Sequence, residues 1–385
     1  MIYDTFEIHY SPVNPGTDKT EIFFYGNPKE AFSSHLQGLQ NQKCIYVTDT
    51  TVAALPFVAS FLESVKNKEQ EIVILESGEQ YKTIDSVLHI VKTALESGLQ
   101  RNSVFVGIGG GVICDMTAFA SSIFKRGAKL ELIPTTLLSM VDAAIGGKTG
   151  CDFQEYKNML GTFYPASKLH IVDEFVYSLS ETEFLSGLAE VYKTGLLYAP
   201  KIFQIMDEQK EGILNKEESL ILQLIKRCAI AKANIVEKDL TETGLRMQLN
   251  LGHTFAHALE TLTGLGTVSH GDAVAWGIGR AIALSRHLGL CQQDYVDDVF
   301  RVLNNYQWST EPLHPAFTKV MEQQQIDKDL LVDMIIKTMK KDKKNSTNTI
   351  RCILQREINS TLIEEVADTD IIAVLNSNGW NYKED

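Results

Sequence analysis

The chain has 385 residues, 44% hydrophobic and 22% charged, which is enough apolar material for two ordinary globular domains. A formal net charge of −13 with no evident basic face argues against a nucleic-acid partner, although a few converging cations still suffice for a small anionic substrate. Six scattered cysteines without a Cys-x-x-Cys pair, an N-terminus without a signal-like apolar core, and the lack of any apolar run of about 18 residues point to a cytoplasmic protein with no disulfide frame, zinc knuckle or membrane partner.

Phe6–Tyr10 and Glu21–Tyr25 alternate weakly and are predicted to form an antiparallel hairpin at a sheet edge. A regular alternation follows. Strands are predicted at Lys43–Asp49, Glu71–Glu76 and Ser103–Ile108, with helical stretches to about Lys66 and over Thr83–Leu99 between them. Continuous apolar strands separated by helices imply a parallel sheet covered on both faces. Leu130–Pro134 and Leu169–Asp173 continue the strands. From Glu181 to Asp370 the pattern is almost wholly helical, with breaks near 264–272 and 304–315. The predicted architecture is therefore an α/β nucleotide-binding domain over 1–180 and an all-α domain over 181–385.

The third strand runs into Gly107-Ile-Gly-Gly-Gly-Val-Ile-Cys-Asp115 and a helix. Consecutive glycines between strand and helix let a ligand approach the backbone, and the helix N-terminus favours anions. The turn is not a Gly-x-Gly-x-x-Gly fingerprint, because Val112 stands where its last glycine would be, so a tight structural turn is the competing reading. Asp49, Glu79-Gln-Tyr-Lys82 and Pro134-Thr-Thr136 add polar groups to the same ends of the strands, where α/β proteins bind nucleotides.

Arg126 and the stretch Val141-Asp-Ala-Ala-Ile-Gly-Gly-Lys-Thr-Gly150, followed by Tyr156-Lys-Asn158, place glycines beside lysines and an amide. Such groups suit a phosphate, and a solvated loop is the alternative. Asp142 within this stretch points to substrate hydroxyls. In Gly187-Leu-Ala-Glu-Val-Tyr-Lys193, Glu190 and Lys193 share a helix face with apolar flanks, which favours burial over a surface ion pair.

The stretch Gly244–Glu260 carries His253 and His257 four apart, on one helical face, with Arg246 and Asn250 read as lying on that side of the same helix. A third histidine, His270, follows. Hydrogen-bonded core histidines are one reading; the other is a metal site, since one carboxylate with two imidazoles and open positions is a catalytic zinc-type ligand set.

These stretches resemble the sugar-phosphate cyclase family, in particular its dehydroquinate synthase branch, from about Asp49 to Lys344. The resemblance rests on the glycine turn (109–115), Pro-Thr-Thr-Leu-Leu (134–138), 141–150, Lys157-Asn158, 187–193, Leu-Asn-Leu-Gly-His-Thr-Phe-x-His-Ala (249–258), His-Gly-x-Ala-Val-Ala (270–275) and Asp-Lys-Lys (342–344). It implies a nucleotide-binding α/β domain and a helical domain, with the active site in the cleft. It implies that Glu190, His253 and His270 hold Zn2+ or Co2+, with His257 as an acid/base imidazole and not a ligand. Asp142, Lys193 and Asn250 would orient the substrate's hydroxyls. Lys148, Asn158 and Lys343 would hold its phosphate, helped by Arg126 from the partner in a homodimer, and Lys232 and Arg246 its carboxylate. Asp49, Glu79, Lys82, Gly110, Gly111, Asp115, Thr135, Thr136 and Lys157, with Val112 and Leu138 beside them, would contact NAD.

The implied reaction converts 3-deoxy-arabino-heptulosonate 7-phosphate to a carbocycle and phosphate by transient oxidation, elimination, re-reduction and intramolecular aldol closure. The chain departs from the family's usual pattern at Gly150-Cys-Asp152 (usually Gly-Val-Asn), at Tyr156 (usually glycine), at Ala256 and at Asp272. Alternatives are a cyclase for an amino or neutral seven-carbon sugar phosphate, a metal- and NAD-dependent polyol dehydrogenase, and a non-catalytic nucleotide-binding protein. The presence of Arg246, Asn250 and His257 favours the acid substrate.

Overall fold

The computed structural model describes residues 2–10, 17–39, 42–66, 68, 70–154, 156–264, 266–341 and 349–377. The chain divides into two compact units, residues 1–184 with 218–243 and residues 185–217 with 244–385.

The first unit opens with β1 (Ile2–His9) and β2 (Lys19–Tyr25), an antiparallel pair, followed by α1 (Pro28–Gly38). Asn27 caps α1 by accepting from the Glu30 N–H, and proline fills the first turn, where its missing donor costs nothing. Then come β3 (Cys44–Asp49), α2 (Thr50–Ala53), α3 (Pro56–Lys66), β4 (Glu71–Leu75), α4 (Ile84–Glu96), β5 (Val104–Gly109), α5 (Gly111–Ile123) and β6 (Lys129–Pro134). A short hairpin, β7 (Cys151–Phe153) and β8 (Tyr156–Leu160), precedes β9 (Lys168–Val172). The seven-stranded sheet has the order β1-β2-β9-β6-β5-β3-β4, parallel except for the edge pair. Val104–Gly109 is buried throughout, as a strand covered on both faces must be. The chain runs outward from β3 to β4, returns to β5 on the other side of β3, and continues to β6 and β9. The order therefore reverses between β3 and β5, the switch point at which open α/β sheets bind ligands.

The second unit holds α6 (Glu181–Leu197, from residue 185), α7 (Pro200–Glu208) and α8 (Lys210–Leu214). The next helix, α9 (Glu218–Val236), groups with the first unit, a departure from two consecutive domains divided at 180. The second unit resumes with α10 (His253–Thr263), α11 (His270–His287), α12 (Gln293–Asn305), α13 (Phe317–Gln324) and α14 (Lys328–Lys340). It is not all helical. A hairpin, β10 (Ile350–Glu357) and β11 (Ser360–Val366), comes before α15 (Asp368–Leu375). Buried Gln355 anchors β10: its N–H donates to Ser285 Oγ on α11, its amide donates to the Leu196 carbonyl, and its Oε1 accepts from Tyr295. No helix among the described residues is long and apolar enough to cross a membrane.

Candidate active site

Glu190 lies on α6 at 1% exposure. His253 opens α10 and His270 opens α11, whose cap Ser269 accepts from the Asp272 N–H. Gly252 precedes His253 at φ +80°, and a β-carbon there would meet the Ile278 nitrogen at 2.7 Å and the Val274 carbonyl at 2.9 Å. Only glycine fits this turn against α11, and the turn sets the direction in which α10 starts. Glu190 Oε1 then faces His253 Nε2 at 3.8 Å and His270 Nε2 at 3.6 Å. The other nitrogens are engaged: His253 Nδ1 lies 3.2 Å from the Leu251 carbonyl, and His270 Nδ1 lies 3.3 Å from Glu260 Oε1. Such outer partners fix ring orientation and tautomer in metal sites, here turning both Nε2 atoms toward the carboxylate. Atoms bound to one ion at about 2 Å sit roughly 3.3 Å apart in a tetrahedral site, so this set fits a divalent ion. Burial would lower the His270 pKa, but hydrogen bonds to Glu190 and Glu260 outweigh it and raise it to about 10.

His257 sits edge-on to His253, ring centroids 5.5 Å apart, and outside the three-ligand set. Lys193, 2% exposed, forms an ion pair with Glu190. Arg246 and Asn250 do not share a helix with His253. They lie on a 3-10 turn, Leu245–Asn250, which Gly252 separates from α10. Arg246 is 1% exposed, and Asn250 donates through Nδ2 to the Met247 carbonyl.

The first unit gathers a second group at the strand ends. The glycine turn joins β5 to α5, with Gly110 as cap. A β-carbon on Gly110 would approach Thr136 Cγ2 to 3.0 Å, so glycine here serves close packing and not a left-handed backbone. Thr135 Oγ1, buried at the end of β6, meets no hydrogen-bond partner among the described residues, whereas Thr136 is tied to Ser139. Val112 and Leu138 lie at the starts of α5 and of the following helical turn. Asp49 caps α2: its Oδ1 accepts from the Thr51 and Val52 N–H groups and from Ser77. Lys82, 5% exposed, donates to Asp115 Oδ2 at 2.7 Å and to Asn158 Oδ1 at 2.6 Å. Burial works against its charge, but Asp115 and Glu79 hold its pKa above the usual lysine value. Lys157 lies 4.0 Å from Glu79. A topological switch point, a glycine turn and an orphaned hydroxyl suit a dinucleotide.

Asp142 sits in a π-helical turn, Ser139–Ala143, and its Oδ1 lies 2.7 Å from Lys232 of α9, which also donates to the Asp142 carbonyl. Lys148 pairs with Glu242. Arg126 is exposed at φ +64° after α5. Lys343 lies outside the described residues. Helix α9 stops at Val236, so Lys232 and Arg246 stand on separate elements and group with different units.

A second set of two histidines and a glutamate occurs in the first unit, with His35 Nδ1 2.6 Å and His170 Nε2 3.3 Å from Glu131 Oε2. The 2.6 Å spacing is that of a shared proton and too short for two ligands of one ion. Tyr46 and Tyr25 engage the remaining ring nitrogens at 3.1 Å each, so this is a hydrogen-bonded core network.

Three residues beside the expected site residues, Glu260, Glu242 and Asp152, take part in these contacts without having been assigned a role from the motifs. Glu260 follows His253 by seven residues, two turns along the same face, so its signal was present. Glu242 carried none.

Comparison with known proteins agrees with this geometry. Residues 72–186 match the family described as 3-dehydroquinate synthase N-terminal, and residues 187–345 match 3-dehydroquinate synthase C-terminal. The chain is 35% identical over 347 residues to the 3-dehydroquinate synthase of Methylococcus capsulatus, covering 90% of this chain and 91% of that one. It is 36% identical over 343 residues to that of Francisella tularensis subsp. tularensis, covering 88% and 91%. Among solved structures, 2-epi-5-epi-valiolone synthase from Streptomyces hygroscopicus subsp. jinggangensis, with NAD+ and Zn2+ bound, aligns at TM-score 0.80 and 24% identity over 95% of this chain and 98% of that one. A 2-deoxy-scyllo-inosose synthase complexed with carbaglucose-6-phosphate, NAD+ and Co2+ aligns at 0.79 and 20% identity over 97% and 99%. A residue set that fits a divalent ion, strand ends suited to a dinucleotide and these matches agree: the chain belongs to the 3-dehydroquinate synthase family.

Proposed function

We propose that the protein is a phosphate-eliminating sugar-phosphate cyclase, a carbon–oxygen lyase. It converts 3-deoxy-arabino-heptulosonate 7-phosphate to 3-dehydroquinate and phosphate. The observation that carries this reading is the convergence of Glu190, His253 and His270, with His257 beside them and outside the ligand set. Glu190, His253 and His270 would hold Zn2+ or Co2+, the ions named for the two structural neighbours. Gly110, Gly111, Asp115, Thr135, Thr136 and the Glu79–Lys82 segment would hold NAD. When bound, the two groups supply a Lewis acid at a ring hydroxyl and a reversible hydride acceptor.

The chain's own residues do the rest. Lys148, Asn158 and Lys343 grip the phosphate and stabilise the charge it carries away when the C–O bond breaks. Arg126 of a neighbouring copy in a homodimer assists them. Lys232 and Arg246 hold the carboxylate, while Asp142, Lys193 and Asn250 orient the hydroxyls. His257 moves protons at the reacting oxygens and carbons. Phosphate release from the acid sugar phosphate, compared with sedoheptulose 7-phosphate, tests the reading. Release from the acid substrate alone is expected. Equal release from sedoheptulose 7-phosphate overturns the acid preference, and none from either overturns the reading.

A further inference from the structure

The hairpin β7–β8 places Asn158 at φ +49°, in the left-handed region that non-glycine residues seldom occupy. Asparagine tolerates that region better than most, but the conformation still needs support. Asp152 supplies it. Its Oδ1 accepts from the Asn158 N–H at 2.7 Å across the hairpin, and its own N–H donates to the Lys82 carbonyl at 2.8 Å. The Lys82 ammonium in turn donates to Asn158 Oδ1, 2.6 Å away. Asn158 is therefore held at its backbone by Asp152 and at its side-chain oxygen by Lys82. With the oxygen committed as an acceptor, the amide NH2 is what Asn158 has to donate to an anion.

We propose that Asp152 is a positioning residue: it fixes Asn158 for the phosphate and ties the phosphate-binding hairpin to the Glu79–Lys82 segment proposed to hold the cofactor. This rests on the assignment of Asn158 to phosphate above. It also gives one function to two features with no local reason of their own, a partly buried acid in a short surface hairpin and a strained asparagine beside it. Burial, with Glu79 nearby, raises the Asp152 pKa on balance, against the pull of the Asn158 N–H and Lys82.

The test is a double-mutant cycle in the full chain loaded with metal and NAD, comparing Asp152→Ala, Asp152→Asn, Asn158→Ala and the double variant Asp152→Ala/Asn158→Ala. Asp152→Ser serves as a second truncation, and each variant is checked for thermal stability. A hydrogen bond to a charged acceptor corresponds to a KM increase of ~10-fold or more for the acid sugar phosphate in Asp152→Ala. Asp152→Asn should stay within ~3-fold of the parent, since an amide oxygen accepts the same N–H. NAD affinity should hardly move, and the double variant should be no worse than Asn158→Ala beyond ~2-fold. An unaffected KM in Asp152→Ala and Asp152→Ser beside a weakened Asn158→Ala overturns this proposal alone, as do strictly additive effects. Equal loss of NAD affinity and thermal stability in both truncations also overturns it, in favour of a purely structural role. An unaffected KM in Asn158→Ala removes the phosphate assignment and this proposal together.

Discussion

Replacing Arg246 by alanine probes the substrate's acid group. The guanidinium is 1% exposed and sits on the 3-10 turn Leu245–Asn250, whose end is set by Gly252 at φ +80°. A buried guanidinium that meets a carboxylate makes two parallel, charge-assisted hydrogen bonds. Removing it leaves the bound carboxylate desolvated without its partner, at a cost on the order of 2–5 kcal/mol. That corresponds to a loss of roughly 30-fold to several thousand-fold in affinity for the acid sugar phosphate. Arg246→Lys should recover little, because an ammonium on a flexible stem cannot form the paired contact. The assay is titration of each variant with 3-deoxy-arabino-heptulosonate 7-phosphate and with an analogue lacking the carboxylate, alongside thermal denaturation to confirm folding. The analogue should bind the parent and Arg246→Ala about equally. Equal weakening of both ligands would refute the reasoning, because it would make Arg246 a structural or phosphate-gripping residue.

His253→Ala and His270→Ala should each lose bound metal together with activity, and full occupancy by elemental analysis in both would sink the ligand assignment. Glu260→Ala should weaken metal binding ~10–100-fold in chelator competition by freeing the His270 ring. Acidification should destabilise the α/β unit through the His35–Glu131–His170 network. Burial lowers the His170 pKa, and although burial opposes it, hydrogen bonds from His170 and His35 lower that of Glu131. Both folded-state values lie below their unfolded ones, so the unfolded chain takes up more protons as pH falls below about 6.5 and then about 4.5. Melting temperature should therefore drop progressively from pH 7 to pH 4, less steeply in a Glu131→Gln/His170→Phe variant; parallel curves would exclude the network as the cause.

Most of the α/β unit was legible because continuous apolar strands and amphipathic helices leave unambiguous periods. The glycine turn between β5 and α5 was equally plain. The hairpin Ile350–Val366 is not legible as strand, because its buried run Cys352-Ile-Leu354 has no alternation, which short apolar segments share with buried helices. Asn359, at φ +65° in the tight turn, was the overlooked signal. Gly252, visible in the sequence, breaks the helix that would otherwise carry Arg246 and Asn250 together with His253. The pairings Asp142–Lys232 and Lys148–Glu242 bridge about ninety residues of chain and leave no local mark. The metal set was legible as chemistry but not as geometry. Spacing alone favoured His253 with His257, whereas the structure turns His253 and His270 together toward Glu190.

A cyclase of the proposed kind oxidises and re-reduces its substrate on one bound cofactor. The direct measurement follows absorbance at 340 nm and phosphate release together, with the acid sugar phosphate in large excess over NAD and enzyme. One phosphate per substrate consumed, many turnovers per NAD and no net accumulation of NADH are expected. NADH rising in proportion to substrate consumed, without phosphate release, would contradict the cyclase reading and identify a metal- and NAD-dependent dehydrogenase instead.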